Sequence, residues 1–237
     1  LSTNTLHIKG HQLHYVSVGA DTMPTIVFVH GSPGSWDAFE EYMQDSLLRL
    51  HYRLIAIDRP GFGYSDYGHA MNLYDECDII SSFLDSVRNG NHLFLVGHSL
   101  GGSVVPVLAA NNPAIVTGIV VLAGAVDPAA EPVEKWRHWF LSPPLSWLLP
   151  GAMRPSNDEL YYFKTDVLHL KEKLNEVTCK VCIVHAVNDG LVSVQNAYYM
   201  DSAFTKAQVS DTILPTGDHF IPWNHYALIS KLLLRLK

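Results

Sequence analysis

Short apolar runs alternate along the chain with stretches in which apolar residues recur every three or four positions. The runs have strand length and the recurring stretches present one helical face, so their alternation predicts an α/β fold with a mainly parallel sheet. Residues 6–9 and 13–18, joined through Gly10-His11, read as an opening hairpin. Residues 25–29, 53–57, 92–96, 117–126, 180–184 and 208–214 read as further strands. Several are apolar at nearly every position, as a strand must be when helices cover both its faces. Helices are predicted over 36–48, 73–87, 100–110, 194–204 and 224–236. In the second of these, Ile79, Ile80, Phe83, Leu84 and Val87 keep the spacing of a core-facing stripe.

One segment breaks the alternation. Between Asp127 and Asp166 there is no clear strand, but there are Pro128, Pro132, Pro143, Pro144, Pro150 and Pro155. Among them stand Trp136, Trp139, Phe140, Trp147, Tyr161, Tyr162 and Phe163. Rings at this density need a surface to bury against, and the prolines forbid one uninterrupted helix. The reading is a small helical lid at 127–166 inserted into a core made of 1–126 and 167–237. An ordinary helical excursion that completes the core is the alternative.

Composition then narrows the class. The 237 residues carry 16 Lys+Arg against 23 Asp+Glu, a formal net charge of −7, with 48% hydrophobic and 16% charged positions. That is a globular chain long enough to bury a core without staples. An acidic balance without a Lys/Arg block argues against a nucleic-acid partner. No run of about eighteen consecutive apolar residues occurs, so no transmembrane segment is predicted. The chain starts at Leu1, not Met, which leaves room for a targeting segment upstream and leaves localisation and oligomeric state open. Cys77, Cys179 and Cys182 make no disulfide framework. The Cys179/Cys182 pair opens a strand, where positions three apart face opposite sides, so core packing is expected and no metal.

The sharpest motif is Gly97-His98-Ser99-Leu100-Gly101, a G-x-S-x-G match between a predicted strand and a predicted helix. There a serine sits on a strained turn that only small neighbours permit, with its hydroxyl pushed clear of the sheet and a helix N-terminus beneath it. Ser99 is the candidate nucleophile. A serine hydroxyl needs a base, and the base needs an orienter. Thr216-Gly217-Asp218-His219-Phe220 follows the last strand and offers His219 as the base; His225 falls inside the final helix. Asp189, at the carboxyl end of strand 180–184 and followed by Gly190, is the candidate acid, with Asp127 as its rival. Asp218 adjoins the base and is poorly placed to orient it, although a carboxylate there would favour imidazolium. The loop His30-Gly31-Ser32-Pro33-Gly34 supplies small residues near a developing oxyanion. The backbone N–H groups of Ser32 and Leu100 are the candidate donors, since Pro33 has none. His30 is expected to brace the loop.

These residues together resemble the α/β-hydrolase-fold serine hydrolases, in the group of lid-bearing esterases, lipases and C–C hydrolases. Five signatures stand in the family's order: the 30–34 loop, Asp58-Arg59-Pro60-Gly61-Phe62-Gly63-Tyr64-Ser65, the elbow around Ser99, the acid loop at Asp189 and the base loop at His219. Asp58 and Arg59 are expected to be structural. The resemblance implies a Ser99–His219–Asp189 triad, no cofactor and a small-molecule substrate. Related dehalogenases and epoxide hydrolases use Asp as nucleophile, so Ser99 speaks against both activities. Gly190 stands where many relatives have Pro, and Asp218 where many have a small residue. The expected pocket is apolar, lined by Phe62, Trp136, Trp139, Phe140 and Trp223, and suits a small to medium carboxylic ester. Lys135, Arg137 and Arg154 also lie in the lid or at its edge, and a C–C hydrolase acting on a diketone would need one of the arginines for a substrate carboxylate. Aminopeptidases, lactonases and perhydrolases share the triad. A non-catalytic ligand-binding protein on the same fold is the reading from outside the enzyme class.

Overall fold

The computed structural model of the chain describes residues 1–68, 70–132 and 134–236. One sheet is built from β1 (Ser2–Ile8), β2 (His11–Val18), β3 (Thr25–Val29), β4 (Arg53–Ile57), β5 (Leu93–His98), β6 (Val116–Leu122), β7 (Lys180–Ala186) and β8 (Val209–Leu214). The spatial order is β1-β2-β4-β3-β5-β6-β7-β8. β2 is antiparallel to β1 and β4; from β4 to β8 every neighbouring pair is parallel. The chain therefore steps outward from β3 to β4 and returns to the other side of β3 at β5. That reversal opens a crevice at the carboxyl ends of β3 and β5, where ligands of open α/β sheets bind.

Strict alternation along the buried strands divides the core in two. Val27 and Val29 face one layer, formed by α3 (Leu73–Val87), α4 (Gly101–Asn111), α5 (Met153–Glu176) and α6 (Gln195–Ala203). Ile26 and Phe28 face the other, formed by α1 (Glu40–Gln44), α2 (Ser46–His51) and α8 (Tyr226–Leu233). A short α7 (Ile221–Asn224) precedes α8. Cys179 packs against the first layer and Cys182 against the second, as their spacing predicts. Among the described residues no helix is long and apolar enough to cross a membrane.

Several predicted limits shift for local reasons. The strand expected over 117–126 ends at Leu122, because Ala123 takes a positive φ of 48° and the apolar residues beyond it are buried outside the sheet. The helix expected over 36–48 is a 3-10 turn (Trp36–Phe39) followed by α1 and α2, with the Asp45 carboxylate capping the N–H groups of Leu47 and Leu48. The final helix is likewise interrupted, at His225.

The 127–166 segment holds two 3-10 turns, Lys135–Phe140 and Leu145–Leu148, and then the first half of α5. Pro155 does not stop α5, because it lies in the first turn, where its missing N–H has no intrahelical acceptor. The helix runs on without a break past Asp166, and Val167, Leu170 and Leu174 pack into the core. The end of the 127–166 segment and the residues after it thus share one continuous helix. Val133 within that segment, and His69 and Lys237 in the core ranges, lie outside the described residues.

Asp58, at the end of β4, is fully buried and joins three parts of the chain. Its carboxylate accepts the N–H groups of Trp36 (2.6 Å) and Tyr64 (2.8 Å) and the Nδ1–H of His14 (2.7 Å). Asp58→Ala would leave the buried His14 donor and the half-buried Trp36 and Tyr64 N–H groups without their acceptor, so a loss of about 3–5 kcal/mol is expected in urea unfolding.

Candidate active site

Ser99 occupies the turn between β5 and α4 with φ +55°, a left-handed conformation rarely adopted by a residue with a side chain. The flanking glycines make that turn possible. A Cβ on Gly97 would lie 2.1 Å from the carbonyl oxygen of Gly101, and one on Gly101 would lie 2.2 Å from that of Val29. The turn is pinned by the Ser99 N–H to Leu122 O (2.9 Å) and by the Gly102 N–H to Ser99 O (2.8 Å).

Asp189 and His219 are brought together from the ends of β7 and β8. His219 Nδ1 lies 2.8 Å from Asp189 Oδ2, and the carboxylate side chain is wholly buried. Asp189 Oδ1 accepts the N–H groups of Leu191 (2.9 Å) and Val192 (2.8 Å). Burial pushes its carboxyl up, but the hydrogen bonds from His185, His219 and Val192 outweigh this and hold it well below the usual carboxylate range. It is therefore ionised at neutral pH, and an ionised partner fixes the proton of His219 on Nδ1. Asp127 is not in this cluster; its carboxylate accepts the Ala129 N–H (2.9 Å). Asp218 also turns elsewhere, to the Phe220 N–H and the Asn224 amide, both at 2.9 Å.

Ser99, His219, Ser32 and Leu100 line one cavity of about 240 Å³. Among the described residues Ser99 Oγ and His219 Nε2 are not hydrogen-bonded to each other, a looseness common in unliganded sites. The N–H groups of Ser32 and Leu100 donate to no protein acceptor among the described residues, which leaves them available to an anion. His30 braces the first of them. Its Nδ1–H donates to Gly31 O (2.7 Å) and its Nε2 accepts the Arg59 N–H (3.0 Å). Burial and the nearby Arg59 charge hold its pKa well below the usual value, so the neutral ring is the stable form.

The residues expected to form an apolar pocket do not line this cavity. Phe62 is fully buried under the Arg59 guanidinium, and Trp223 stands edge-on to His98 with its indole N–H on Ala38 O. Trp136 and Trp139 are 48% and 68% exposed, and Phe140 packs against Trp136. In a 3-10 turn residues three apart share a face. Trp136 and Trp139 thus share the outer face, while Glu134 and Arg137, paired at 2.6 Å, share the one that meets the cavity. The apolar lining comes instead from Ala125, Leu160, Phe163, Leu191 and Val192.

Two further groups have no local sequence signal. His98, inside the elbow, reaches from Nε2 to His219 O (2.9 Å) and so holds the backbone of His219; burial, then the charge of His219, lowers its pKa to about 4. Glu131 lines the cavity, and burial pushes its carboxyl up to about 7, against the opposing effect of Lys164.

With this geometry in place, the comparisons identify the class. The alpha/beta hydrolase fold family matches residues 24–150, and the chain belongs to it. It is 26% identical to epoxide hydrolase 3 of Xenopus tropicalis over 89% of this chain and 62% of that protein. The chain thus spans less than two thirds of that relative's length. It is also 26% identical to a mitochondrial palmitoyl-protein thioesterase of Mus musculus, over 83% of this chain and 69% of that one. Among solved structures, the thioesterase domain from the curacin biosynthetic pathway superimposes with a TM-score of 0.75 at 17% identity, covering 98% of this chain and 99% of that one. The last of these speaks to fold alone.

The raised Glu131 carboxyl has a consequence for stability. A carboxyl whose folded pKa lies above its unfolded value retains its proton longer in the folded state, so its contribution is present below about pH 4.5 and is lost as pH rises through about 7. Glu131→Gln removes that loss. The Tm gain of this variant over the wild type, measured by calorimetry, should therefore be larger at about pH 8 than at about pH 5.

Proposed function

We propose that the chain hydrolyses a small to medium carboxylic ester through an acyl-enzyme on Ser99. The observation that carries this reading is the convergence of three elements on one cavity: a strained serine, a histidine held by an ionised carboxylate, and two backbone N–H groups with no acceptor among the described residues. Ser99 Oγ attacks the ester carbon while His219 Nε2 takes its proton, and the carbonyl oxygen becomes an oxyanion on the Ser32 and Leu100 N–H groups. The C–O bond to the alcohol breaks as His219 returns the proton to the leaving oxygen. Water then adds to the acyl-enzyme, His219 takes its proton, and the acid leaves as Ser99 is reprotonated. No cofactor takes part in this scheme.

A cavity of about 240 Å³ favours a compact acyl or alcohol group, below the roughly 300–1,000 Å³ of drug-sized sites. Epoxide opening fits a hydroxyl nucleophile poorly. Attack by Ser99 on an epoxide carbon would leave an ether that water does not cleave, whereas a carboxylate nucleophile would leave a hydrolysable ester. We read the 127–166 segment as the lid over this cavity. C–C hydrolysis of a diketone is a second reading, favoured by Arg137 on the cavity wall.

The test is a p-nitrophenyl ester series of increasing acyl length, with fluorophosphonate labelling of the same sample. Turnover that peaks at short or medium chains, with the label on Ser99, is expected. Labelling without turnover on any ester would redirect the search to diketones, amides and lactones. Ser99→Ala should lower turnover by about 10⁴–10⁶-fold. Asp189→Asn should cripple the enzyme and Asp127→Asn should not; the reverse would reassign the acid.

A further inference from the structure

Arg59 is the largest fully buried side chain among the described residues, and it touches both α5 and the loop under the cavity. Its Nη1 donates to Glu76 of α3 (3.0 and 2.9 Å) and to Glu159 of α5. Its Nη2 donates to the second oxygen of Glu159 (3.0 Å) and to the carbonyl oxygen of Gly31 (3.1 Å). That carbonyl also accepts the His30 Nδ1–H, so two donors grip it from the core side.

The Gly31–Ser32 peptide is a trans unit, in which C=O and N–H point in opposite directions. Whatever fixes the Gly31 carbonyl therefore fixes the Ser32 N–H, the proposed oxyanion donor. The other end of the same dipeptide is tied to the cap as well, through Ser32 Oγ to Ser156 Oγ (2.9 Å) on α5. Glu159 lies one helical turn beyond Ser156, so both ties come from one stretch of α5.

We propose that Arg59 and Glu159 are positioning residues that let the docked cap set the direction of the Ser32 N–H. This rests on the ester-hydrolase reading above. With α5 in place, Glu159 holds the guanidinium against Gly31 O and the oxyanion site is complete. Displacement of α5 withdraws Glu159 and Ser156 together, and leaves the Gly31 carbonyl to His30 and to an Arg59 anchored by Glu76 alone. The cap then acts on the chemical step as well as on access to the cavity.

The test uses Glu159→Ala, which leaves Arg59 paired with Glu76 and so strands no buried charge. Three quantities are read: kcat and KM on the best ester, Tm, and inhibition by a trifluoromethyl ketone against its methyl ketone counterpart, since only the former forms a stable oxyanion adduct. The expected result is a fall in kcat of about 10–100-fold, less than the 10²–10³ for deleting a donor outright. KM should be little changed, and trifluoromethyl ketone binding should weaken by a similar factor. Glu159→Gln, which keeps the shape and an acceptor oxygen, should restore most of kcat. Asp166→Ala is the comparison. It removes another tie between α5 and α3, the Leu73 N–H to Asp166 Oδ2 at 2.9 Å, without touching Gly31, and should lower Tm while leaving kcat unchanged. If Glu159→Ala keeps full kcat and full trifluoromethyl ketone affinity while Tm falls, Glu159 is only a clamp and the inference is wrong. If Glu159→Ala does not fold, Glu159→Asp, which keeps the charge but falls one methylene short of the guanidinium, decides it: the inference requires lower kcat and weaker trifluoromethyl ketone binding, in equal measure, and an unaltered kcat overturns it. Absence of wild-type turnover on every ester would instead overturn the ester-hydrolase reading.

Discussion

The backbone of Ser99, held at φ +55° between β5 and α4, is the constraint around which the rest of the site is arranged. A side chain in the left-handed region is unfavourable by about 1–3 kcal/mol, and it persists only where neighbours over-determine it. Here they do so on three sides. The Ser99 N–H is taken by β6, Gly101 lies against the end of β3, and Gly102 lies against Gly124. The elbow thus requires β3, β5 and β6 in register, and that register comes from apolar alternation along the strands. In return the strained turn presents a hydroxyl and an unpaired N–H at the crevice where the strand order reverses.

Histidines supply much of the directional bonding around this point. His14, His30, His98, His185 and His219 are all buried, and each makes a hydrogen bond to a carboxylate or a backbone carbonyl. Burial keeps His30 and His98 neutral at physiological pH. A neutral imidazole suits such a place because it offers a donor and an acceptor on opposite sides of a rigid ring. His30 uses both, bridging Gly31 and Arg59.

The parts of this arrangement that were legible in the sequence are those governed by local sterics. Residues 25–29, 53–57 and 73–87 coincide with elements because each is a clean run or a clean stripe. G-x-S-x-G was legible because its glycines have a steric reason, and Asp189 because it stands in the turn just after a strand. What was not legible depends on contacts between distant positions. His98 meets His219 across 121 residues, and Arg59 meets Glu159 across 100, so neither leaves a mark on its neighbours in sequence. The aromatic residues of the 127–166 segment mislead for a different reason. Their abundance argued for burial, but a 3-10 turn repeats every three residues and sends Trp136 and Trp139 the same way, outward, with Glu134 and Arg137 inward.

The Arg59 cluster sets one guanidinium against two carboxylates in a dry interior, an arrangement that contributes little to stability on its own account. Burial and the nearby Glu159 push the Glu76 carboxyl up to about 7 despite Arg59, so the cluster resists full ionisation. A leucine and a phenylalanine of similar volume would pack α5 onto α3 at least as tightly. They could not orient a carbonyl, because apolar contact has no direction, whereas the N–H groups of a guanidinium lie in a fixed plane. One donor of that plane reaches Gly31 O while others hold Glu76 and Glu159, so the angle of the Gly31–Ser32 peptide is linked to the seat of α5. A buried charge cluster at this point makes sense as a means of transmitting orientation, which the proposed oxyanion site needs and a hydrophobic core cannot supply.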